Sequence, residues 1–398
     1  MNISEIGEGI YYVGINDLNS QLFESMWALP NGVTYNSYII KGSEKIALID
    51  TVPATDTLQF LNNIRDIIED SPIDYLIINH MEPDHSEGIE YIKLKYPNIK
   101  IVGNKTTAAM IKGFYNIDDV EIVADNQELD LGDDRKLKFI MTPMLHWPET
   151  MMTYDSKTGT LFSGDAFGCF GSLNGGIFDK ETDLETLVPE IYRYYAAIVA
   201  KYGNFVQKAI EKLRGTTLNM ICSTHGPVWT IYILHVIDLY DRLSKYQGQD
   251  GVVIAYGSMY GNTAEMAQLL ARIFTLKGVT VKLHNLANEN VSFALADAIR
   301  YKGIIIGSPT YNNEIFPPVK QFVDALLSRG FKNRVIGAFG SYAWTKGIGS
   351  KIITDLTPLK NIIPVGTLDM KYSQISDIED SIEDYVDSVI SGMKSLGS

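Results

Sequence analysis

Short, largely apolar stretches separated by polar residues recur through the N-terminal part of the chain. Runs of this length that end in Gly, Pro or charged residues are typical of buried β-strands. They lie at residues 9–14, 38–42, 45–50, 73–78, 100–103, 136–142, 160–164 and 218–223. Apolar residues at helical spacing predict helices at residues 56–69, 88–96 and 183–213. This alternation indicates an α/β domain in which helices flank two packed sheets.

A more regular alternation follows in the C-terminal part of the chain. Strands are predicted at residues 252–256, 279–283, 303–307, 335–339 and 363–365, and helices at residues 264–277, 293–300, 318–327, 348–356 and 375–393. Five strands in this order predict a doubly wound parallel sheet that binds its ligand at the carboxyl ends of the strands. The polar, glycine-containing stretch at 244–251 predicts a boundary between domains at 1–248 and 249–398.

Side chains that can bind a metal follow four of the predicted strands in the first domain. They are His80, Glu82, Asp84, His85, His146, Asp165 and His225. Four of the six histidines of the chain belong to this set, which a chance polar loop does not explain. Seven ligands suffice for two metal ions that share one carboxylate. By contrast, His235 and His284 have no such neighbours in sequence, so they are interpreted as packed or surface histidines.

Three strand ends in the second domain carry small polar and aromatic residues. The residues predicted to bind a cofactor there are Ser258, Met259, Tyr260, Gly261, Asn262, Thr263, Pro309, Thr310, Tyr311, Asn312, Asn313, Gly340, Ser341, Tyr342, Ala343 and Trp344. The first loop leads into a helix and supplies hydroxyls and backbone N–H groups without a Lys or Arg, which suits one monoester phosphate. Aromatic residues on the other two loops are suited to a flat ring system.

Composition narrows the classes of function. A net charge of −14 argues against nucleic acid as a partner, because phosphates require a basic surface. The two cysteines, Cys169 and Cys222, lie far apart in sequence, which excludes an iron–sulfur centre with four thiolates. The N-terminus does not resemble a signal peptide, and no run of about 18 apolar residues occurs, so we expect a cytoplasmic protein without a membrane partner.

The metal-type residues resemble the His-x-His-x-Asp-His motif of the metallo-β-lactamase superfamily, with Glu82 in place of the second histidine. A carboxylate at that position makes the site harder and more anionic, which favours iron over zinc. The loops of the second domain resemble those with which flavodoxin binds FMN. Taken together, the whole chain resembles a flavodiiron protein, and the resemblance implies an αββα sandwich followed by a flavodoxin-like domain.

The resemblance also implies the cofactors and their ligands. FMN would occupy the second domain and two iron ions the first, with His80, Glu82 and His146 on one iron. Asp84, His85 and His225 would hold the other, with Asp165 bridging, although not every family member uses the residue equivalent to His85. A tyrosine near the metals is assigned by spacing to Tyr195.

The implied reaction is reduction of dioxygen to water, of nitric oxide to nitrous oxide, or of both. Electrons would come from an external donor such as rubredoxin or the reduced deazaflavin F420. The assembly implied is a head-to-tail homodimer, or a dimer of such dimers. In this assembly, Trp147 and Glu82 would face the flavin of the neighbouring chain.

Two other functions remain open at this point. A binuclear zinc hydrolase of thioester or phosphodiester bonds is the commoner use of the first fold, but Glu82 and the flavodoxin-like domain argue against it. A flavin electron carrier with a non-catalytic first domain would have no need of seven intact ligands. Metal analysis would separate the three possibilities.

Overall fold

The computed structural model describes residues 4–396, the side chains of residues 377 and 379 excepted. The chain divides into two compact units. The first contains the residues up to Phe23, Leu29–Ile191 and Tyr202–Asp241. The second contains Glu24–Ala28, Tyr192–Lys201 and the residues from Arg242 onward. Two short segments from the N-terminal part of the sequence are therefore counted with the C-terminal unit.

Two sheets form the centre of the first unit. In order across the first sheet, the strands are Ser4–Gly7, Ile10–Tyr12, Tyr38–Lys41, Ile46–Ile49, Tyr75–Ile77, Lys100–Gly103 and Val120–Ile122. Across the second they are Glu128–Asp130, Lys136–Met141, Met151–Asp155, Thr160–Gly164, Met220–Ser223 and Val228–Trp229. Ile77 of one sheet and Phe162 of the other lie in one buried cluster between them. The predicted sandwich is confirmed.

Shorter elements and helices complete this part of the chain. The remaining strands are Ile15–Asp17, Leu22–Phe23, Trp27–Ala28 and Val33–Tyr35, and the helices are Thr57–Ile68, Pro83–Ser86, Ile89–Lys95, Lys105–Tyr115, Leu184–Tyr194, Gly203–Lys212 and Ile233–Ser244, with 3₁₀ turns at Ala54–Asp56, Asp179–Glu181 and Ala200–Tyr202. The single helix predicted at 183–213 is wrong in one respect. It is interrupted by a π-helical turn at Tyr195–Val199, where the hydrogen bonding changes register.

The second unit contains five parallel strands. In order across the sheet they are Val281–Asn285, Gln249–Tyr256, Tyr301–Tyr311, Lys332–Tyr342 and Lys360–Lys371, and the short Glu314–Ile315 pairs antiparallel with the third. This is the flavodoxin-like strand order 2-1-3-4-5. The helices are Asn262–Leu276, Val291–Arg300, Pro317–Ser328, Ile348–Leu356 and Glu379–Ser395, with a 3₁₀ turn at Ile375–Ile378. The predicted doubly wound sheet is confirmed.

One predicted strand begins later than expected. The strand predicted at 279–283 forms at Val281–Asn285. The N–H of Val279 donates to the carbonyl of Phe274, so this residue still closes the preceding helix. In the described part of the chain, no helix combines the length and the apolar character that crossing a bilayer requires.

His284 is more than a packed histidine, because two carboxylates flank its ring. Its Nδ1 lies 3.0 Å from Glu289 Oε1 and its Nε2 lies 2.8 Å from Asp297 Oδ2. Burial alone would lower the pKa of His284, but these carboxylates outweigh it and raise the pKa to about 9. The charged imidazole thus ties the edge strand Val281–Asn285 to the helix Val291–Arg300.

This pair of contacts predicts a pH-dependent stability. Since the pKa is raised in the folded state, the stabilisation is full below about pH 6.5 and is lost as pH rises through about 9. The expected size is on the order of 2–3 kcal/mol in the free energy of unfolding. Urea unfolding of the wild type and His284→Gln should therefore differ at pH 6.5 and converge near pH 10. A difference that is independent of pH would contradict the charged state assigned to His284.

Candidate metal and flavin sites

The seven metal-type side chains converge at one end of the sandwich strands. His80 and Glu82 follow the strand Tyr75–Ile77, and Asp84 and His85 lie on the single helical turn Pro83–Ser86. The other three follow the ends of strands in the second sheet, at His146, Asp165 and His225. Their ligand atoms form two groups, each within 4.8 Å, and the groups are His80, Glu82, His146 and Asp165, and Asp84, His85 and His225.

The first group is arranged around the Glu82 carboxylate. Its Oε2 lies 3.0 Å from His146 Nε2 and 3.2 Å from His80 Nε2. Oδ2 of Asp165 lies 3.1 Å from His146 Nε2 and 3.7 Å from His80 Nε2. All four side chains are buried. Two imidazole nitrogens and two carboxylate oxygens thus face one small volume, a donor set suited to a hard or borderline cation.

The second group contains two imidazoles that face each other. Nε2 of His85 lies 3.1 Å from Nε2 of His225. Oδ2 of Asp84 lies 3.2 Å from the first of these nitrogens and 3.5 Å from the second. Both carboxylate oxygens of Asp84 are buried and receive no hydrogen bond from the described residues. Buried acceptors and two converging ring nitrogens fit a bound cation, which would satisfy all of them at once.

Asp165 contacts both groups, one with each carboxylate oxygen. While Oδ2 faces His146 and His80, Oδ1 lies 3.2 Å from His85 Nε2 and 3.7 Å from His225 Nε2. Oδ1 also accepts a hydrogen bond of 2.5 Å from the Thr224 hydroxyl. The residue is 2% exposed, so this orientation is held by the protein interior. This division of the two oxygens would suit a carboxylate shared by two ions.

The electrostatics of the cluster favour positive charge at its centre. Burial by itself lowers the pKa of His80, but Asp165 and Glu149 outweigh it and hold the pKa well above its ordinary value. For His146, Asp165 and Glu82 outweigh the effect of burial and raise the pKa to about 9. Although burial opposes it, the facing imidazoles hold the pKa of Asp165 well below its usual range. Asp165 therefore stays ionised, as metal binding requires of a carboxylate ligand.

Buried partners fix the rings of two of these histidines, and the sequence did not reveal them. Glu149 Oε1 lies 2.8 Å from Nδ1 of His80 and also accepts from the N–H of Met81 at 2.8 Å. Nδ1 of His225 lies 2.7 Å from the carbonyl oxygen of Thr34. Partners of this kind orient a histidine so that its other nitrogen points at the metal. The position of Glu149 three residues after His146 is the only sequence signal for its role.

Removing the charge of Glu149 should weaken metal binding. In Glu149→Gln the side chain keeps its shape but no longer favours the N–H tautomer and the basicity of His80. We expect about 10–100-fold weaker retention of iron, measured by metal content after dialysis against graded chelator. The matched control is Glu121→Gln on the protein surface, which should retain iron as the wild type does. Equal retention by both variants would contradict the role given to Glu149.

Two further aromatic rings lie beside this cluster. The ring of Trp147 is 5.5 Å from that of His80 and nearly perpendicular to it. The ring of Tyr202 is 6.1 Å from that of His146, and no feature of the sequence marked this tyrosine. Tyr195, the tyrosine predicted to lie near the metals, is fully buried and begins the π-helical turn counted with the second unit. Its role in the chemistry stays a prediction.

The second site is a pocket of about 490 Å³ in the second unit. The predicted residues that line it are Ser258, Met259, Tyr260, Asn262, Thr263, Pro309, Thr310, Asn312, Asn313, Ser341, Tyr342, Ala343 and Trp344. Gly261, Tyr311 and Gly340 are not among the lining residues. Thr345, Tyr372 and Ser373 also line it, and the last two were missed because they follow the fifth strand, which carries no phosphate-loop signal.

The first loop of the pocket is shaped for a phosphate. Gly261 adopts a φ of 100°, a conformation that side chains disfavour, directly before the helix Asn262–Leu276. Its N–H donates to the Ser258 hydroxyl at 3.1 Å, and the Thr263 and Ser341 hydroxyls are 2.8 Å apart. Helix N–H groups and hydroxyls together can hold an anion without a basic side chain. The pocket thus fits a phosphorylated ligand with a flat ring.

Comparison with known proteins agrees with this geometry. Residues 33–226 match the ODP family β-lactamase model and residues 254–384 match the flavodoxin model. The anaerobic nitric oxide reductase flavorubredoxin of Salmonella typhi is 32% identical over 358 residues, which are 88% of this chain and 74% of that relative. The chain belongs to the flavodiiron protein family. An uncharacterised relative from Methanocaldococcus jannaschii is 32% identical over 89% of this chain and 92% of its own.

Solved structures lead to the same family. The rubredoxin oxygen:oxidoreductase of the anaerobe Desulfovibrio gigas superimposes with a TM-score of 0.92 at 29% identity, over 99% of each chain. The flavodiiron protein of Giardia intestinalis gives 0.90 at 26% identity, over 100% of this chain and 97% of that one. The resemblance found in the sequence is confirmed. As a flavodiiron protein, the chain has FMN and a diiron centre as its cofactors, and it is an oxidoreductase that depends on both.

Proposed function

We propose that this flavodiiron protein reduces dioxygen to water, nitric oxide to nitrous oxide, or both, with electrons that enter through FMN from an external donor. The observation that carries the proposal is the position of Asp165, whose two oxygens face two separate sets of ligands. A site of this form is built for two metal ions acting on one small substrate. A flavin pocket in the same chain provides a route for electrons, which a hydrolase would not need.

The proposed ligand sets follow the two groups of side chains. His80, Glu82 and His146 would hold one iron, and Asp84, His85 and His225 the other, with Asp165 bridging. The inward orientation of His85 Nε2, between Asp84 and Asp165, supports its inclusion as a ligand. The oxygen-rich set around Glu82 supports iron rather than zinc.

The side chains of this site have definable tasks. When bound, the iron pair holds two electrons next to the gas while the flavin accepts and delivers electrons one or two at a time. Glu149 and the Thr34 carbonyl orient His80 and His225. Trp147, half-buried over His80, limits access of water to this face of the cluster. The carboxylates of the site would balance the positive charge of the iron ions inside the protein.

An external donor is part of the proposal. The only two cysteines in these 398 residues are both buried in the first unit, and two thiols are too few for a centre with four thiolates. The names of two relatives mention rubredoxin, which supports a rubredoxin-type donor. Reduced F420 is the second candidate.

Steady-state turnover with each gas tests the proposed function directly. The iron- and FMN-loaded protein is supplied with chemically reduced rubredoxin, and then with reduced F420, under dioxygen or under nitric oxide. Consumption of at least one gas well above the rate of free reduced FMN supports the proposal. Rates no higher than that of free FMN with both gases and both donors would contradict it.

The choice of metal should depend on Glu82. Glu82→His restores the motif of the zinc enzymes and removes an anionic oxygen from the first group. We expect less bound iron, more bound zinc and a loss of gas reduction with unchanged flavin content. Metal analysis after growth with both metals measures the exchange. A variant with full iron and full activity would show that Glu82 does not select the metal.

The proposed assembly is a head-to-tail homodimer in which the flavin of each chain serves the metals of the other. Family resemblance and the preference of soluble proteins for twofold symmetry support it. Trp147, half-buried beside the cluster, is the residue that would contact the neighbouring flavin. Four chains could assemble as two such dimers.

A further inference from the structure

The π-helical turn Tyr195–Val199 is the one described π-helix in the chain. It follows the helix Leu184–Tyr194 and leads into the 3₁₀ turn Ala200–Tyr202. The N–H of Ala200 donates to the carbonyl of Tyr195, five residues back. Turns of this kind are uncommon and are frequently found at functional sites. This one begins at the tyrosine that the family resemblance places near the metals.

A single guanidinium binds the carbonyls at the centre of this turn. Nε of Arg329 donates to the carbonyl of Ala196 at 2.9 Å, and Nη2 donates to that of Ala197 at 2.9 Å. The hydroxyl of Tyr246 lies 3.0 Å from the carbonyl of Ala200 and can donate to it. The planar fork of an arginine matches two neighbouring carbonyls, whereas a lysine offers one point charge. The turn is therefore held from outside by side chains that are far away in sequence.

Arg329 is itself held in place. Its guanidinium lies 4.8 Å from the ring centre of Trp27, which is 2% exposed. The indole N–H of Trp27 donates to Glu24 Oε2 at 2.8 Å. Nη1 of Arg329 also donates to the hydroxyl of Ser328 at 3.1 Å. A cation stacked on a buried aromatic ring with several hydrogen bonds has little freedom to reorient.

We propose that Arg329, stacked on Trp27, is a positioning residue that fixes the π-helical turn and through it the orientation of Tyr195. The inference rests on the proposed function, because it takes Tyr195 to act in the reaction. All the contacts that carry it lie within the second unit. Nothing in the sequence pairs residue 329 with residues 196 and 197, which are more than 130 positions away.

Amide hydrogen exchange tests the clamp without reference to activity. The probe is the full-length protein loaded with FMN and iron, and the variants are Arg329→Lys and Arg329→Met. We expect exchange in the peptide covering residues 194–202 to become about tenfold faster in both, while peptides of the five-stranded sheet are unchanged. Arg272→Lys, an exposed arginine on the helix Asn262–Leu276, is the control and should exchange as the wild type does. Unchanged exchange in the Arg329 variants would overturn the proposal.

A double-mutant cycle tests the link to Tyr195. Arg329→Lys should lower kcat about tenfold at unchanged KM for the donor and unchanged flavin and iron content, because the turn is loosened but no cofactor ligand is lost. In a Tyr195→Phe background the same substitution should have no further effect. Equal loss in both backgrounds, or no loss in the wild-type background, would overturn the positioning role.

The two proposals can fail separately. If gas turnover is normal in Tyr195→Phe, then Tyr195 has no catalytic role and the inference about its positioning fails, while the proposed reductase activity stands. If the protein reduces neither gas, the proposed function fails, and faster exchange in the Arg329 variants would still show that Arg329 holds the turn.

Discussion

Asp165→Ala should abolish gas reduction and leave a flavin-loaded protein. The substitution removes a carboxylate whose two oxygens face the two groups of ligands, so both proposed metal positions would lose a donor. It also removes a buried negative charge that raises the pKa of His80 and that, together with Asp84, raises the pKa of His85. We expect bound iron to fall far below about two per chain. Turnover with either gas should fall by more than the ~10–100-fold cost of losing a supporting partner.

The control for this experiment is Asp119→Ala. This aspartate is exposed, so the change removes a carboxylate from the same unit without touching the cluster. It should keep the iron content and turnover of the wild type, and flavin absorbance should be the same in all three proteins because the flavin pocket lies entirely in the other unit. Full iron content in Asp165→Ala would show that Asp165 is not a shared ligand.

Co-expression of two inactive variants should restore about a quarter of the wild-type activity in the unseparated dimers if electrons cross between chains. One variant is Asp165→Ala, which has a working flavin site. The other replaces Thr263, buried against Ser341 in the flavin pocket, together with Trp344 at its exposed rim, and keeps its metal ligands. With random pairing, half the dimers are mixed, and each mixed head-to-tail dimer has one intact flavin facing one intact metal pair.

Within-chain transfer gives a different result. No chain in a mixed dimer would then contain both a working flavin and working metals, so activity would stay near zero. The two variants carry different affinity tags, and purification over both isolates the mixed dimers, for which cross-chain transfer predicts about half of the wild-type activity per dimer. Wild-type chains with the same two tags set the reference rate. Activity near zero in verified mixed dimers would contradict the head-to-tail arrangement.

The interpretation of His284 shows a limit of local sequence. Its neighbours along the chain offered no ligand, and it was assigned to ordinary packing. In the structure Glu289 and Asp297 flank the ring, because the chain turns after the strand Val281–Asn285 and brings the helix Val291–Arg300 against it. Contacts of this kind depend on how a turn is made, which a pattern of apolar residues does not encode.

The sequence by itself determined the elements and the donor set. Apolar runs and helical spacing reflect which side of each element is buried. The bounds predicted for a strand such as Thr160–Gly164 therefore agree with those in the structure. Parallel strands separated by helices admit few topologies, and their carboxyl ends meet at one edge. The chemistry of His80, Glu82 and Asp165 was readable as a common site because each of these metal-type residues directly follows a predicted strand.

Only the tertiary structure determined which residues that are distant in sequence contact one another at the metal site and at the π-helical turn. It directed one oxygen of Asp165 to each ligand group and brought Glu149 to His80 across 69 positions. In the structure a π-helical turn at Tyr195–Val199 also interrupts the helix predicted at 183–213. Arg329 donates to the carbonyl of Ala196 in this turn, although the two residues are 133 positions apart. Such pairings arise from packing of whole elements, where the free energy depends on shape and burial in three dimensions. Periodicity along the chain contains no record of them.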